Sequence, residues 1–220
     1  MTAEKTGKRL MVPRGTTYIE KAAYLNQKSL EIAALPEGLE KIGELAFDGC
    51  SALEKVYLPK NLKAVGRYAF FECKSLTEIV IPEGITKIEE WTFAGCESLR
   101  KVVLPESLVS IDSRAFDSCV SLVDIRIPEN VETIGYHAFS GCKSLMDIRI
   151  PEGVRRLEEG MFENCEKLKR LQLPENLVSI EAGAFRNCKS LNVIRLPENL
   201  SKLGANVFYG CERLEDIRGG

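Results

Sequence analysis

The sequence predicts an α/β solenoid of about nine stacked coils, and three observations carry that expectation. Every proline, at Pro13, Pro36, Pro59, Pro82, Pro105, Pro128, Pro151, Pro174 and Pro197, lies 23 residues from the next. Cysteine keeps the same period at Cys50, Cys73, Cys96, Cys119, Cys142, Cys165, Cys188 and Cys211, and eight of the nine phenylalanines stand three residues before those cysteines. No linker, Ser/Gly-rich stretch or charge block breaks the register across the 220 residues. A fixed period of this length marks repeat units that cannot bury their own apolar walls and must stack on neighbours. One elongated domain over residues 1–220 is therefore expected.

The first element, residues 10–32, follows the ruler loosely. Tyr24 stands where Phe belongs, Gln27 at the cysteine position, and Thr16 where the turn expects Leu or Ile. A degenerate, more polar coil is what a solenoid needs to end in water, so this segment reads as an N-terminal capping coil. Eight regular coils follow over residues 33–217. In the coil Leu76–Leu99, Leu76, Ile79 and Ile81 give an L-x-x-I-x-I pattern whose end has the period of two of a half-buried strand over residues 78–81. Pro82 fixes φ and Gly84 tolerates positive φ, together closing a turn. The column through Gly84 reads Gly38, Asn61, Gly84, Ser107, Asn130, Gly153, Asn176 and Asn199, which predicts a left-handed backbone there. Ile85 and Ile88 continue the buried wall. Trp91 to Cys96 reads as one or two short helical turns on the outside of the coil, with Phe93 and Cys96 on its inner face. At the end, Cys211, Leu214 and Ile217 remain in register and no C-terminal cap is visible, which leaves an edge open to end-to-end homodimerisation.

Lys and Arg total 30 against 32 Asp and Glu, a formal charge of −2. That balance gives no reason to expect nucleic acid as a partner. No apolar run reaches the roughly 20 residues of a membrane span, and Met1 to Arg9 lacks the apolar core of a signal peptide. The eight cysteines contain no CxxC pair, one per coil, and their side chains point in parallel, so buried reduced thiols are expected rather than disulfides. With a single histidine, His137, four converging zinc ligands are not expected. No cofactor and no metal is implied.

The unit L-x-x-I-x-I-P-E-x-(V/I/L)-x-x-I-x-x-x-A-F-x-x-C, read most clearly from Ile127 through Pro128, Val131, Ile134, Ala138 and Phe139 to Cys142, resembles the BspA-type leucine-rich repeat of bacterial surface antigens and some protists. The resemblance spans Leu10 to Ile217. It implies a right-handed leucine-rich superhelix with a parallel β-sheet on its concave face, and a role in adhesion or protein binding rather than catalysis. It carries no functional residue to transfer. The compartment stays open: cell surface or secreted for a fragment of a BspA-like protein, cytoplasmic for a complete chain.

Chemistry is sparse. GxGxxG, GxxxxGK(S/T), HExxH and GxSxG are all missing. His137 shares a column with Leu45, Tyr68, Trp91, Arg114, Gly160, Gly183 and Asn206, a surface position without the neighbouring nucleophile that a general base serves. The glutamates after the prolines, Glu37, Glu83, Glu106, Glu129, Glu152, Glu175 and Glu198, form an acidic ridge. Such a ridge can hold calcium or do acid–base work; solvated turn residues are the commoner meaning. No enzyme is expected.

The positions that the repeat leaves free are more informative. Two residues before each proline, the outward strand column reads Ala34, Tyr57, Val80, Val103, Arg126, Arg149, Gln172, Arg195 and Arg218. Four before, it reads Lys55, Glu78, Lys101, Asp124, Asp147, Arg170, Val193 and Asp216. An apolar stretch, Tyr57, Val80 and Val103, thus hands over to arginines, with Asp124 and Asp147 placed beside Arg126 and Arg149. In one reading the aspartates neutralise stacked arginines and the valines serve strand propensity. In the other the sheet is a binding face for a protein segment with apolar and acidic halves, made by Tyr57, Val80, Val103, Asp124, Arg126, Asp147, Arg149, Arg170 and Arg195. A second patch, Tyr68, Phe71 and Trp91, lies on the turn side and either covers the core or binds. The leading function is a noncatalytic protein-interaction module whose partner the sequence does not name. The alternative is a scaffold or self-associating module, engineered or cut from a longer surface protein, that uses its open C-terminal coil; a carbohydrate-binding face comes next.

Overall fold

The computed structural model describes residues 4–6 and 8–219; Met1, Thr2, Ala3, Gly7 and Gly220 lie outside the described residues. The 23-residue period becomes a solenoid of about nine turns held by parallel strands one repeat apart. The L-x-x-I-x-I segments form a first ladder, hydrogen-bonded in three stretches: Arg9–Met11, Ile32–Ala34 and Lys55–Tyr57; Glu78–Val80, Lys101–Val103, Asp147–Arg149 and Arg170–Gln172; and Val193–Leu196 with Asp216–Gly219. Asp124 joins it through single bridges to Lys101 and Asp147. Register steps one full repeat at each pairing, as in Ala33↔Val56, Ile79↔Val102 and Ile194↔Ile217. Lys55–Tyr57, Glu78–Val80 and Lys101–Val103 each turn the middle residue into the core and the flanking residues out, the alternation a half-buried strand requires.

A second ladder of two-residue strands pairs in three stretches: Tyr18–Ile19, Lys41–Ile42 and Ala64–Val65; Lys87–Ile88, Ser110–Ile111 and Thr133–Ile134; and Arg156–Leu157, Ser179–Ile180 and Lys202–Leu203. Two residues are too few to show a period of two, so the sequence pattern marks only their buried member. Between the ladders each proline carbonyl accepts the amide three residues on, for instance Leu39 N to Pro36 O at 3.0 Å and Val131 N to Pro128 O at 3.1 Å. The proline turns are therefore where the sequence places them.

The expected helical turns are not. Among the described residues there is no helix. In the segment 91–96, Trp91, Phe93 and Gly95 donate their amides to Ser113, Ala115 and Asp117 of the following coil, at 2.8–3.2 Å. Thr92, Ala94 and Cys96 donate back to Glu89, Trp91 and Phe93 of their own coil, at 3.2–3.3 Å. Half of the amides thus serve the stack and half close successive β-turns, which no helix permits. Two left-handed residues per coil produce that geometry. One column holds Ala22, Leu45, Tyr68, Trp91, Arg114, His137, Gly160, Gly183 and Asn206, the other Asn26, Gly49, Glu72, Gly95, Ser118, Gly141, Asn164, Asn187 and Gly210, with φ between 51° and 75°. A non-glycine residue in this region costs about 1–2 kcal/mol; the hydrogen bonds between coils hold it there.

The column through Gly84 also departs from expectation. Gly84 alone in it has positive φ, at 93°. Its polar members instead bond to the preceding coil: Asn61, Asn130 and Asn199 donate Nδ2 to the carbonyls of Glu37, Glu106 and Glu175 at 2.8–3.2 Å, and Ser107 Oγ to that of Ile85 at 2.9 Å. Short side chains that reach a neighbouring backbone carbonyl, rather than a left-handed turn, explain the Asn and Ser there.

The core is a set of columns along the axis. Phe47 through Phe208 stack face over face, centroids 5.3–5.9 Å apart and planes within 9°. Tyr24 heads the stack at 5.2 Å from Phe47. Beside it the thiols form a parallel ladder. Each of Cys73 through Cys211 donates Sγ to the carbonyl of the phenylalanine one repeat before its own, and Cys50 to that of Tyr24, at 3.0–3.3 Å. At the N-terminal end Glu4–Thr6 pairs antiparallel with Arg9–Met11.

Candidate functional site

The first ladder positions the candidate surface. Tyr57, Val80 and Val103 are 64%, 58% and 39% exposed; Asp124, Arg126, Arg149, Arg170 and Arg195 are exposed and Asp147 half-buried. The alternation of the strands puts all nine on one face. Val80 lies opposite Val103, Asp124 opposite Asp147, and Asp147 opposite Arg170. The column extends one coil further than the sequence reading took it: Met11, two residues before Pro13, is 61% exposed and in register with Ala34 and Tyr57. Its position relative to Pro13 was the available signal. The apolar stripe is thus Met11, Ala34, Tyr57, Val80 and Val103, a contiguous exposed run over five coils.

Ion pairs of Arg126, Arg149 and Arg170 run between coils, whereas Arg218 pairs along its own strand with Asp216 at 2.6 Å. Asp147 accepts from both Nε and an NH2 group of Arg170, at 2.6 and 2.8 Å, and this guanidinium holds the Asp147 carboxyl below its ordinary range. Arg126 pairs with Glu106 at 3.2 Å and Arg149 with Glu129 at 3.5 Å, both turn glutamates of the preceding coil. Neither Asp124 nor Arg195 forms an ion pair among the described residues. The arginines therefore keep weak, exposed partners that a ligand can replace. A shallow groove between Asp124, Arg126, Glu129, Asp147, Arg149 and Gln172 opens on the same face.

On the turn side Tyr68 and Trp91 stack at 5.8 Å and 12°, and Phe71 meets both edge-on at 5.8 Å. Arg114 covers the other face of Trp91 at 4.8 Å and is tied to Asp117 at 3.0 Å. Both indole faces are thereby occupied within the chain. Tyr68, Trp91, Arg114 and His137 all occupy the left-handed column, so successive side chains are carried over one another. His137 lies against Gly160, where a Cβ would come within 2.2 Å of its Cε1, and 3.7 Å from Glu163.

Part of the acidic ridge has a backbone task. Glu83 accepts the amides of Glu106 and Ser107 at 3.1 and 3.3 Å, and Glu152 that of Glu175 at 3.1 Å. Among the described residues no group of three or more His, Cys, Asp or Glu side chains is placed to hold a metal ion. Burial pushes the thiols of Cys73, Cys96, Cys119, Cys142, Cys165 and Cys188 well up, the opposite of what a cysteine nucleophile needs. No helix is long and apolar enough to cross a membrane among the described residues.

The family model of the BspA-type leucine-rich repeat region matches residues 17–144 and 109–219, with six copies. Among solved structures, the leucine-rich repeat protein of T. pallidum is 30% identical, with a TM-score of 0.57, over 95% of this chain and 78% of that one. A leucine-rich repeat protein from Bacteroides ovatus is 26% identical, with a TM-score of 0.57, over 96% and 78%. The pneumococcal vaccine antigen PcpA shares the fold at 22% identity and a TM-score of 0.65, over 97% of this chain and 62% of its own. No curated protein matches. Matched by the family model along most of its length, the chain belongs to the BspA-type leucine-rich repeat family.

Proposed function

We propose that the chain is a noncatalytic protein-binding module that works through the outward face of its first ladder, in adhesion or host contact. The observation that carries this reading is the contiguous exposed stripe from Met11 to Val103, handed over without a gap to Arg126, Arg149 and Arg195. Exposed apolar runs and arginine are both enriched where proteins meet. The spacing of the phenylalanine stack, 5.3–5.9 Å, exceeds the roughly 4.7–4.9 Å between hydrogen-bonded strands. That difference supports a bend with the strand face on its inner, concave side. A partner segment with an apolar half over Met11 to Val103 and an acidic half over the arginines fits the face. Tight coil-to-coil bonding presents it with little ordering cost on binding.

The test is selection of a displayed random-peptide library on the immobilised chain. Enriched peptides should combine apolar and acidic halves, and Arg126→Glu with Arg149→Glu should abolish their capture while the circular dichroism stays unchanged. Capture indifferent to those changes and to Val80→Glu sinks the proposal.

A further inference from the structure

The turn glutamates beside the strand face use their carboxylates in two ways, and the use follows the residue in the outward column. Arg126 and Arg149 each pair with a glutamate of the preceding coil, Glu106 at 3.2 Å and Glu129 at 3.5 Å. Val103 and Gln172 offer no charge in the same column, and there the glutamate of the preceding coil accepts from the next turn instead. Glu83 takes the amides of Glu106 and Ser107 at 3.1 and 3.3 Å, and Glu152 takes that of Glu175 at 3.1 Å. Arg195, the third arginine of the column, has no ion pair among the described residues.

A ridge glutamate thus has two seats. One is an exposed guanidinium, and exposed ion pairs are individually weak. The other is a backbone amide one repeat on, which a carboxylate holds by a charge-assisted hydrogen bond. By the register that Glu83 and Glu152 show, the second seat of Glu106 is the amide of Glu129, and that of Glu129 is the amide of Glu152. Resting on the protein-binding reading above, we propose that Glu106 and Glu129 are internal competitors of the partner's acidic half: they hold Arg126 and Arg149 in the unbound chain and swing to the next turn when the partner's carboxylates take the two guanidiniums. Exchange of one carboxylate for another leaves each arginine paired, and the second seat keeps the displaced charge bonded. An apolar or basic segment offers no such exchange, so the two pairs select for acid at positions one coil apart.

Fluorescence anisotropy of the full chain with a labelled synthetic peptide, whose first half alternates leucine with serine and whose second half alternates glutamate with serine, tests the competition. Glu106→Gln with Glu129→Gln should tighten binding by about threefold or more, as release of two weak pairs allows. Glu83→Gln with Glu152→Gln makes the same change of charge on the same ridge and should leave the affinity nearly unchanged. Equal tightening by the two double variants, or none by the first, overturns the competition. Amide NMR tests the second seat without a ligand: Arg126→Gln with Arg149→Gln should move the amide signals of Glu129 and Glu152 downfield, toward those of Glu106 and Glu175 in the parent. Signals that stay in place overturn the swing. Failure of the binding reading itself looks different. Peptide binding that neither Arg126→Glu with Arg149→Glu nor Val80→Glu alters, or no binding by the parent and the glutamine variants alike, overturns the strand face and the competition with it.

Discussion

Leu10 and Ile217 occupy the same column at opposite ends of the molecule, yet Leu10 is 3% exposed and Ile217 51%. Ile19 and Leu203 repeat the contrast in the second ladder, at 3% and 51%. The residues are interchangeable apolar side chains on the same backbone. What differs is the neighbour: Leu10 has a coil on one side and lies opposite Lys5 of an antiparallel strand on the other, whereas Ile217 is paired from one side. In a solenoid, burial is a property of the stack, because each coil can hide its wall only against the next.

That contrast can be broken by substitution. The largest effect is expected at the aromatic stack, where Phe116 is fully buried between Phe93 and Phe139 while Phe208 stacks on Phe185 alone. Phe116→Ala should cost about 3–5 kcal/mol in urea unfolding. Phe208→Ala, half-buried and stacked on one side, should cost clearly less. Equal losses would mean that the end coil packs like an interior one. The apolar column sharpens the same point: Leu10→Ala should lose about 2–5 kcal/mol, and Ile217→Ala stay within about 0.5 kcal/mol, as surface changes do. A Leu10→Ala variant as stable as the parent would show that the antiparallel strand does not seal its end.

The thiols add a contrast that only alkaline pH brings out. Burial raises their folded-state pKa above the unfolded value, so their contribution is fully present below about pH 8.5 and is lost as pH rises, when the unfolded chain ionises and the folded one does not. Each deeply buried thiol should steepen the fall by about 1.4 kcal/mol per pH unit. Cys211 is half-buried and its shift weaker. Urea unfolding between pH 8 and 11 should therefore show Cys119→Ala flattening the slope more than Cys211→Ala does. If neither change alters the slope, groups other than the thiols govern alkaline unfolding.

Most of the strand side of each coil was legible because its signals are local. Pro82 fixes a dihedral angle and lacks an amide hydrogen, and Ile79 and Ile81 alternate with outward residues; both facts act within a few positions of chain. The outward columns followed from the same parity, which placed Tyr57, Val80, Val103 and the arginines before any contact was known. Two parts of the candidate face were not legible. Met11 fell within a coil that looks degenerate. The partners of Arg126 and Arg149 are Glu106 and Glu129, one coil away, a contact that depends on the stacking of coils and not on spacing within one strand.

The turn side was misread for a related reason. Trp91 to Cys96 has the apolar spacing of a helical turn, and spacing alone cannot tell an i,i+3 pair on a helix from one across consecutive β-turns. The choice was made by the next coil, whose carbonyls at Ser113, Ala115 and Asp117 draw every second amide outward. By itself the sequence determined the period, the turns, the inward columns and the family, since these depend on dihedral limits and on the repetition of apolar residues. Only the tertiary structure decided the second ladder, the left-handed columns and the coil-to-coil ion pairs, because each arises from a hydrogen bond or a contact with a residue a full repeat away.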